Sequence, residues 1–136
     1  MAQRLTLELL PDTLAICRLP GSATVPGWAA PRGFLAIVRT PRELSVTCAA
    51  ELVPTDVVAT RDWRALEIKG PLEHALVGIL LAVATPLAQA GVSIMPIATY
   101  DTDYVLVRVP QLELAMATLR AAGHTVLVPT PIPTRP

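Results

Sequence analysis

The chain has 136 residues, 52% of them hydrophobic, and its 11 basic and 11 acidic side chains balance to a formal charge of +0. That much apolar sequence excludes a disordered chain, while scattered arginines, a single lysine at Lys69 and 4% aromatic residues give no basic stripe for nucleic acid. With 16% charged residues there is little charge to cover the surface, which predicts a further buried face, most simply a homodimer interface.

Cys17 and Cys48 each lie in an apolar strand-like run with no CxxC spacing, so they are expected to be buried, reduced thiols of a cytoplasmic protein. An acid at Glu8 interrupts the N-terminal apolar residues, and no secretory signal is expected. Residues 75 to 100 lack Asp, Glu, Lys and Arg, but Pro86, Gln89, Gly91, Ser93 and Pro96 interrupt them and their period changes midway, which argues against a membrane span.

Taken in order, residues 4 to 9 and the start of 13 to 19 alternate apolar and polar side chains. Pro11-Asp12 between them is turn chemistry, so a strand pair is expected. Residues 20 to 33 hold several prolines and glycines and read as a loop with one helical turn near Val25 to Ala30, in which Trp28 plugs the core. FLAIVR (34–39) and LSVTC (44–48) are strands joined by Thr40-Pro41-Arg42-Glu43, where Pro41 pre-sets the dihedral of a tight turn. Residues 49 to 61 form a connector, with a helical turn near Ala50 to Val53.

From Trp63 the pattern is more regular. Residues 63 to 69 alternate as a strand. Leu76, Ile79, Leu80, Val83 and Leu87 then recur at helical spacing between Glu73 and Ala90. Pro86 removes an amide hydrogen from that helix and is expected to kink it or to restart it with Thr85 as a cap, and Gly91 ends it. Val92 to Ala98 reads as a strand, Thr99 to Asp103 as a polar turn, Tyr104 to Val109 as a strand buried on both sides, Gln111 to Ala122 as a helix and His124 to Val128 as a last strand. The division is therefore 1–60 as an N-terminal half, 61–128 as the regular module and 129–136 as a proline-rich tail. Strand, helix, strand, strand, helix, strand is the ferredoxin-like βαββαβ plan, an α+β fold with two helices on one face of an antiparallel sheet. That plan decides no function.

The string GPLEHALVGILLAVATPLAQAGVSIMPIATYDTDYVLV, with RTPRELSVTC before it, resembles the small bacterial ACT-domain proteins, related to the regulatory domain of aspartate kinase and to arginine-sensing proteins of animal cells. The resemblance rests on Ala75 to Ala82, Ile97 to Val107 and Arg39 to Cys48. It implies two tandem ACT-like modules, the first degenerate, and a small-molecule ligand, an amino acid, at an interface between modules or subunits. It also implies a regulatory binding module that is not an enzyme and carries no cofactor. The implied ligand-binding residues are Ala75, Leu76, Val77, Gly78, Ile79, Ile97, Thr99, Tyr100, Asp101 and Asp103.

Physical chemistry supplies roles for them. Unpaired amides at a helix start near Ala75 to Ile79 favour a carboxylate, Gly78 permits close approach, and Asp101 or Asp103 can accept from an ammonium, with Thr99 adding a hydroxyl. Ala75 and Val77 stand where relatives carry hydroxyls and Leu76 where the arginine sensors carry an acid, which favours a small or hydrophobic amino acid over arginine. Two readings compete with this one. Gly78 can serve helix packing and the aspartates their own turn, leaving a structural dimerisation module with a decayed pocket. A small enzyme is the third reading, and it lacks support: His74 and His124 have no metal-ligand spacing, and Ser45 and Ser93 have no nucleophile elbow.

Overall fold

A computed structural model describes residues 3–29, 32–70 and 78–129. The described chain forms two compact units, one of residues 12–65 and one of residues 1–11 with 66–136. The strands are β1 (Thr6–Leu9), β2 (Leu14–Pro20), β3 (Ala36–Arg39), β4 (Glu43–Ala49), β5 (Ala59–Ile68), β6 (Ile94–Ala98), β7 (Asp103–Arg108) and β8 (Thr125–Leu127). The helices are α1 (Ile79–Gln89) and α2 (Leu112–Ala121), with short 3-10 turns at Gly27–Ala29, Ala50–Leu52 and Val109–Gln111.

In the first unit β3, β4, β2 and residues 59–65 of β5 pair in that order, all antiparallel. The β3–β4 hairpin turns where Thr40-Pro41-Arg42-Glu43 predicts. Thr40 N–H donates to the Glu43 carbonyl at 2.9 Å, and the Thr40 hydroxyl accepts from the amides of Arg42 and Glu43 at 3.2 Å each. Ala15, Cys17, Leu44, Val46 and Cys48 stand on one face of this sheet and form its core with Ala29 and Val53. Trp28 packs half-buried at the margin of that core and does not plug it.

The expected strand pair at Pro11-Asp12 is not a hairpin. β1 pairs antiparallel with the end of β5 (Leu7↔Ile68, Leu9↔Leu66) and β2 pairs antiparallel with its beginning (Leu14↔Trp63, Cys17↔Ala59). Two strands antiparallel to the same third strand run the same way, so the chain does not reverse at Pro11-Asp12. The boundary expected at residue 60 accordingly lies within β5, and the first eleven residues join the second unit.

In the second unit the pairing order is β6, β7, the end of β5, β1 and β8. The order of elements from β5 to β8 is the predicted ferredoxin-like one, with β1 inserted between β5 and β8, antiparallel to the first and parallel to the second. Val105, Leu106 and Val107 are fully buried, as the apolar run in β7 predicts. Ile79, Val83 and Leu87 of α1 and Leu112, Ala115, Met116 and Leu119 of α2 close the core over Leu7, Leu66, Ile68, Val105 and Val107. Each of these side chains larger than Ala115 contributes roughly 1.5 to 3 kcal/mol on leaving water.

α1 departs from expectation at its start. Gly78 has φ of +83°, a left-handed conformation that does not continue a helix, so the described helix begins at Ile79 and Gly78 stands at its N-cap, not in its interior. At Pro86 the helix does not restart on Thr85 but runs through. The reason lies 38 residues on. Without an amide hydrogen Pro86 leaves the Ala82 carbonyl with no helical partner, and Nε2 of His124 sits 2.9 Å from that oxygen. A carbonyl only accepts, so Nε2 carries the proton, and Nδ1 is left to accept the Leu5 N–H at 3.1 Å. His124 is 6% exposed, a buried tie between α1, the entry to β1 and the start of β8.

Two outcomes follow from this packing. His124→Phe leaves the part-buried Ala82 carbonyl and Leu5 amide without their ring partner and should cost about 1 to 3 kcal/mol in urea unfolding. In a Pro86→Ala background the new amide can serve Ala82, and the same substitution should cost less by roughly one hydrogen bond, about 1 kcal/mol; equal costs in both backgrounds would refute the tie.

The second outcome concerns alkali. Burial, and then the neighbouring Cys48, raise the Cys17 thiol from 9.0 to about 11. Its folded value lies above its unfolded one, so its contribution to stability is complete below pH 9.0 and is lost as pH rises through about 11. Cys17→Ala should flatten the fall in unfolding free energy across that window relative to wild type, and both thiols should resist alkylation until the chain unfolds.

Candidate functional site

The end of β5, the β6–β7 turn and the start of α1 all belong to the second unit. The turn is built by hydroxyls. Thr99 N–H and Thr99 Oγ1 both donate to the Thr102 carbonyl, at 2.8 and 2.9 Å, and Thr99 Oγ1 accepts the Thr102 amide at 3.3 Å. Thr102, 7% exposed, donates its own hydroxyl to the Ile68 carbonyl at 2.5 Å. That bond fastens the turn to the last residue of β5, from which the chain leads towards α1.

Strand alternation then sorts the predicted residues by face. Asp103, Val105 and Val107 share one face of β7, and the two valines lie in the same core cluster as Ile79 and Val83 of α1. Asp103 is therefore a half-buried carboxylate on the helix-bearing face, at the end of β7 that Thr102 holds to Ile68. No hydrogen bond or ion pair joins its carboxylate to another described residue. Ile97 pairs with Tyr104 across the hairpin and lies on the opposite face. Tyr100, 83% exposed, and Asp101, also exposed, occupy the tip of the turn.

At the helix start the Ala82 amide reaches the Gly78 carbonyl at 2.9 Å, the first helical bond of α1. Among the described residues no side chain caps this terminus, since Gly78 has none to offer, and the leading amides of Ile79, Leu80 and Leu81 point to the positive end of the helix dipole. Ala75, Leu76 and Val77 lie outside the described residues, as does His74. The structure thus brings Gly78, Ile79 and Asp103 to one face of one unit, sets Thr99 to building the turn, and puts Ile97, Tyr100 and Asp101 elsewhere.

The opposite face of β5 carries a polar network that the sequence reading does not single out. The Tyr104 hydroxyl donates to Glu67 Oε2 at 2.9 Å, and Lys69 Nζ lies 2.9 Å from Glu8 Oε2 and 3.5 Å from Glu67 Oε1. Burial and then Glu67 push the Tyr104 phenol up from 10.0, and Glu8 pushes the Lys69 ammonium up from 10.5. Alternation of Glu67 and Lys69 along β5, set against Glu8 on β1, is the signal that could have found it. Among the described residues no group of three His, Cys, Asp or Glu side chains could hold a metal ion. No described helix is long and apolar enough to cross a membrane.

Comparison with known proteins agrees with this geometry. Residues 58–121 match the ACT domain family, and residues 12–56 match a separate family of N-terminal domains. A protein of Agobacterium tumefaciens with an X-ray structure is 35% identical, with a TM-score of 0.92 over 98% of this chain and 100% of that one. The regulatory subunit of aspartate kinase from Thermus thermophilus, in its ligand-free form, shares 17% identity and a TM-score of 0.59 over 88% of this chain and 99% of that one, a likeness of fold. The cytosolic arginine sensor for mTORC1 subunit 1 of Bos taurus is 30% identical over 97 residues, 63% of this chain, and the chain spans 30% of the sensor's length. A βαββαβ unit with the YDTDYVLV strand and the family match across 58–121 identify that segment as an ACT domain, in a chain similar over 97 residues to an arginine sensor.

Proposed function

We propose that the chain is a non-catalytic, cytoplasmic binding module whose ligand is a free amino acid, held at the start of α1. The observation that carries this reading is Asp103. It is a half-buried carboxylate without a partner among the described residues, on the same sheet face as the start of α1, which no described side chain caps. A zwitterion matches that pair of charges: the leading amides of α1 donate to its carboxylate, and Asp103 accepts from its ammonium. The sequence from Ala75 to Ile79 carries no polar side chain, which suits a small or hydrophobic amino acid. Two free, buried thiols support a reducing compartment.

One observation favours the competing reading of a dimerisation module with a decayed pocket. The Thr99 hydroxyl is spent on its own turn and offers the ligand nothing. Thermal-shift measurements over the common amino acids separate the two. A ligand at 100 times its dissociation constant stabilises by about 2.7 kcal/mol, roughly 5 to 10 °C for a chain of this size. Asp103→Asn should weaken that ligand by about 10- to 100-fold, the loss of one charge-assisted hydrogen bond. A panel without any shift supports the decayed pocket, and unchanged affinity in Asp103→Asn removes that carboxylate from the site.

A further inference from the structure

A neutral imidazole carries one ring hydrogen and a charged one carries two, so a histidine that must both donate and accept is held to one protonation state. His124 is in that position. Its Nε2–H donates to the Ala82 carbonyl at 2.9 Å, and its bare Nδ1 accepts the Leu5 N–H at 3.1 Å. A second proton leaves the first bond in place, because Nε2 still donates. It breaks the second, because Nδ1–H then points at the Leu5 N–H and two donors face each other. That bond matters to the strand it precedes. Leu5 stands just before β1, its carbonyl accepts the Thr125 amide at 2.9 Å, and its side chain packs against the core of the second unit.

The surroundings offer the second proton no counter-charge. Helix α1 has no ionisable side chain between Ile79 and Gln89, and β8 has none between Thr125 and Leu127. On α2, Glu113 lies in the first turn, at the far end from His124, and Arg120 lies in the last turn, where it donates to the Val126 carbonyl. On β1, Glu8 alternates away from Leu7 and Leu9 of the core and pairs with Lys69. Before β1, the Arg4 side chain lies against Gly123, with its Nε 3.7 Å from where a Cβ there would stand. Among the described residues of these elements, the charged groups on the His124 side are therefore two cations, Arg4 and Arg120.

From this we infer that His124 is a proton-operated latch on the entry to β1: as the ring takes up its second proton, Leu5 comes away from His124 and Thr125, while α1 keeps its bond to the same ring. The latch is closed where the ring is neutral and opens as pH falls. It does not depend on what the second unit binds.

Amide exchange measured by NMR at about pH 8 and about pH 5, each expressed against the rate of an unstructured chain at that pH, tests it. An ordinary imidazole takes up its proton at about 6.5 within this range, while ordinary carboxylates stay largely charged. Ring-nitrogen spectra report the protons on His124, and His74→Gln removes the chain's other histidine from them. Wild type should show a neutral ring protonated at Nε2 at the higher pH and a doubly protonated ring at the lower. Protection of the Leu5 and Thr125 amides should fall roughly 10- to 100-fold between the two, the cost of a hydrogen bond left unmade, with that of the Ala82 amide unchanged. His124→Gln has a carboxamide that donates and accepts but does not titrate. It should hold both amides equally at both pH values or, if it cannot reach both partners, release them equally at both. Arg4→Glu supplies a carboxylate and should move the release to lower pH. Leu5 protection that survives at the lower pH in wild type overturns the latch, whether or not the ring has gained its proton. A fall of wild-type size in His124→Gln assigns the response to another group and overturns it too, as does an Arg4→Glu profile identical to wild type.

Discussion

Pro86 takes one amide hydrogen out of α1, and the closure of the second unit turns on how the unpaired Ala82 carbonyl is served. His124 does so with one ring nitrogen and takes up the Leu5 amide with the other. A lysine could donate to the carbonyl but not accept the amide; a neutral imidazole does both in a single plane. Helix α1 and the entry to β1 are thereby fixed to the same side chain, and β1 is the strand that lies between β5 and β8. The helix that bears the candidate site and the strand that completes the sheet are held by one residue.

The legible parts of this fold are those whose signals are local. Thr40-Pro41-Arg42-Glu43 contains its own turn geometry, the strand expected from Trp63 forms as the later part of β5, and Val105, Leu106 and Val107 are buried because apolar residues occupy both faces of β7. Pro11-Asp12 misleads for the same reason. Its chemistry suits a reversal, but Leu9 and Leu14 both find partners on β5, and a long strand outweighs a two-residue preference. Gly78 fits the helical spacing of its neighbours, yet without a side chain it accepts a left-handed φ, and spacing carries no dihedral. Thr102 and His124 escape because their partners, Ile68, Ala82 and Leu5, are brought near only by the completed fold.

The candidate site shows the same division. Asp103 is visible in the sequence as part of the family's YDTDYVLV strand, and register places it on the helix-bearing face. Ile97 belongs to the same resembling stretch, Ile97 to Val107, but alternates to the other face, and Thr99 serves the turn. A motif read as a string therefore mixes residues that build the site's frame with residues that can face a ligand. Burial and hydrogen-bond accounting separate them.

Backbone-resolved NMR during titration with individual amino acids tests the central claim most directly, because it reports where a ligand binds. The account predicts that one small or hydrophobic amino acid shifts amide signals at Gly78, Ile79 and Leu80 and at Asp103 and Tyr104, and leaves those of Ala15, Leu44 and Val46 in place. Shifts confined to residues of the first unit, or a spectrum unchanged by every amino acid, would contradict it.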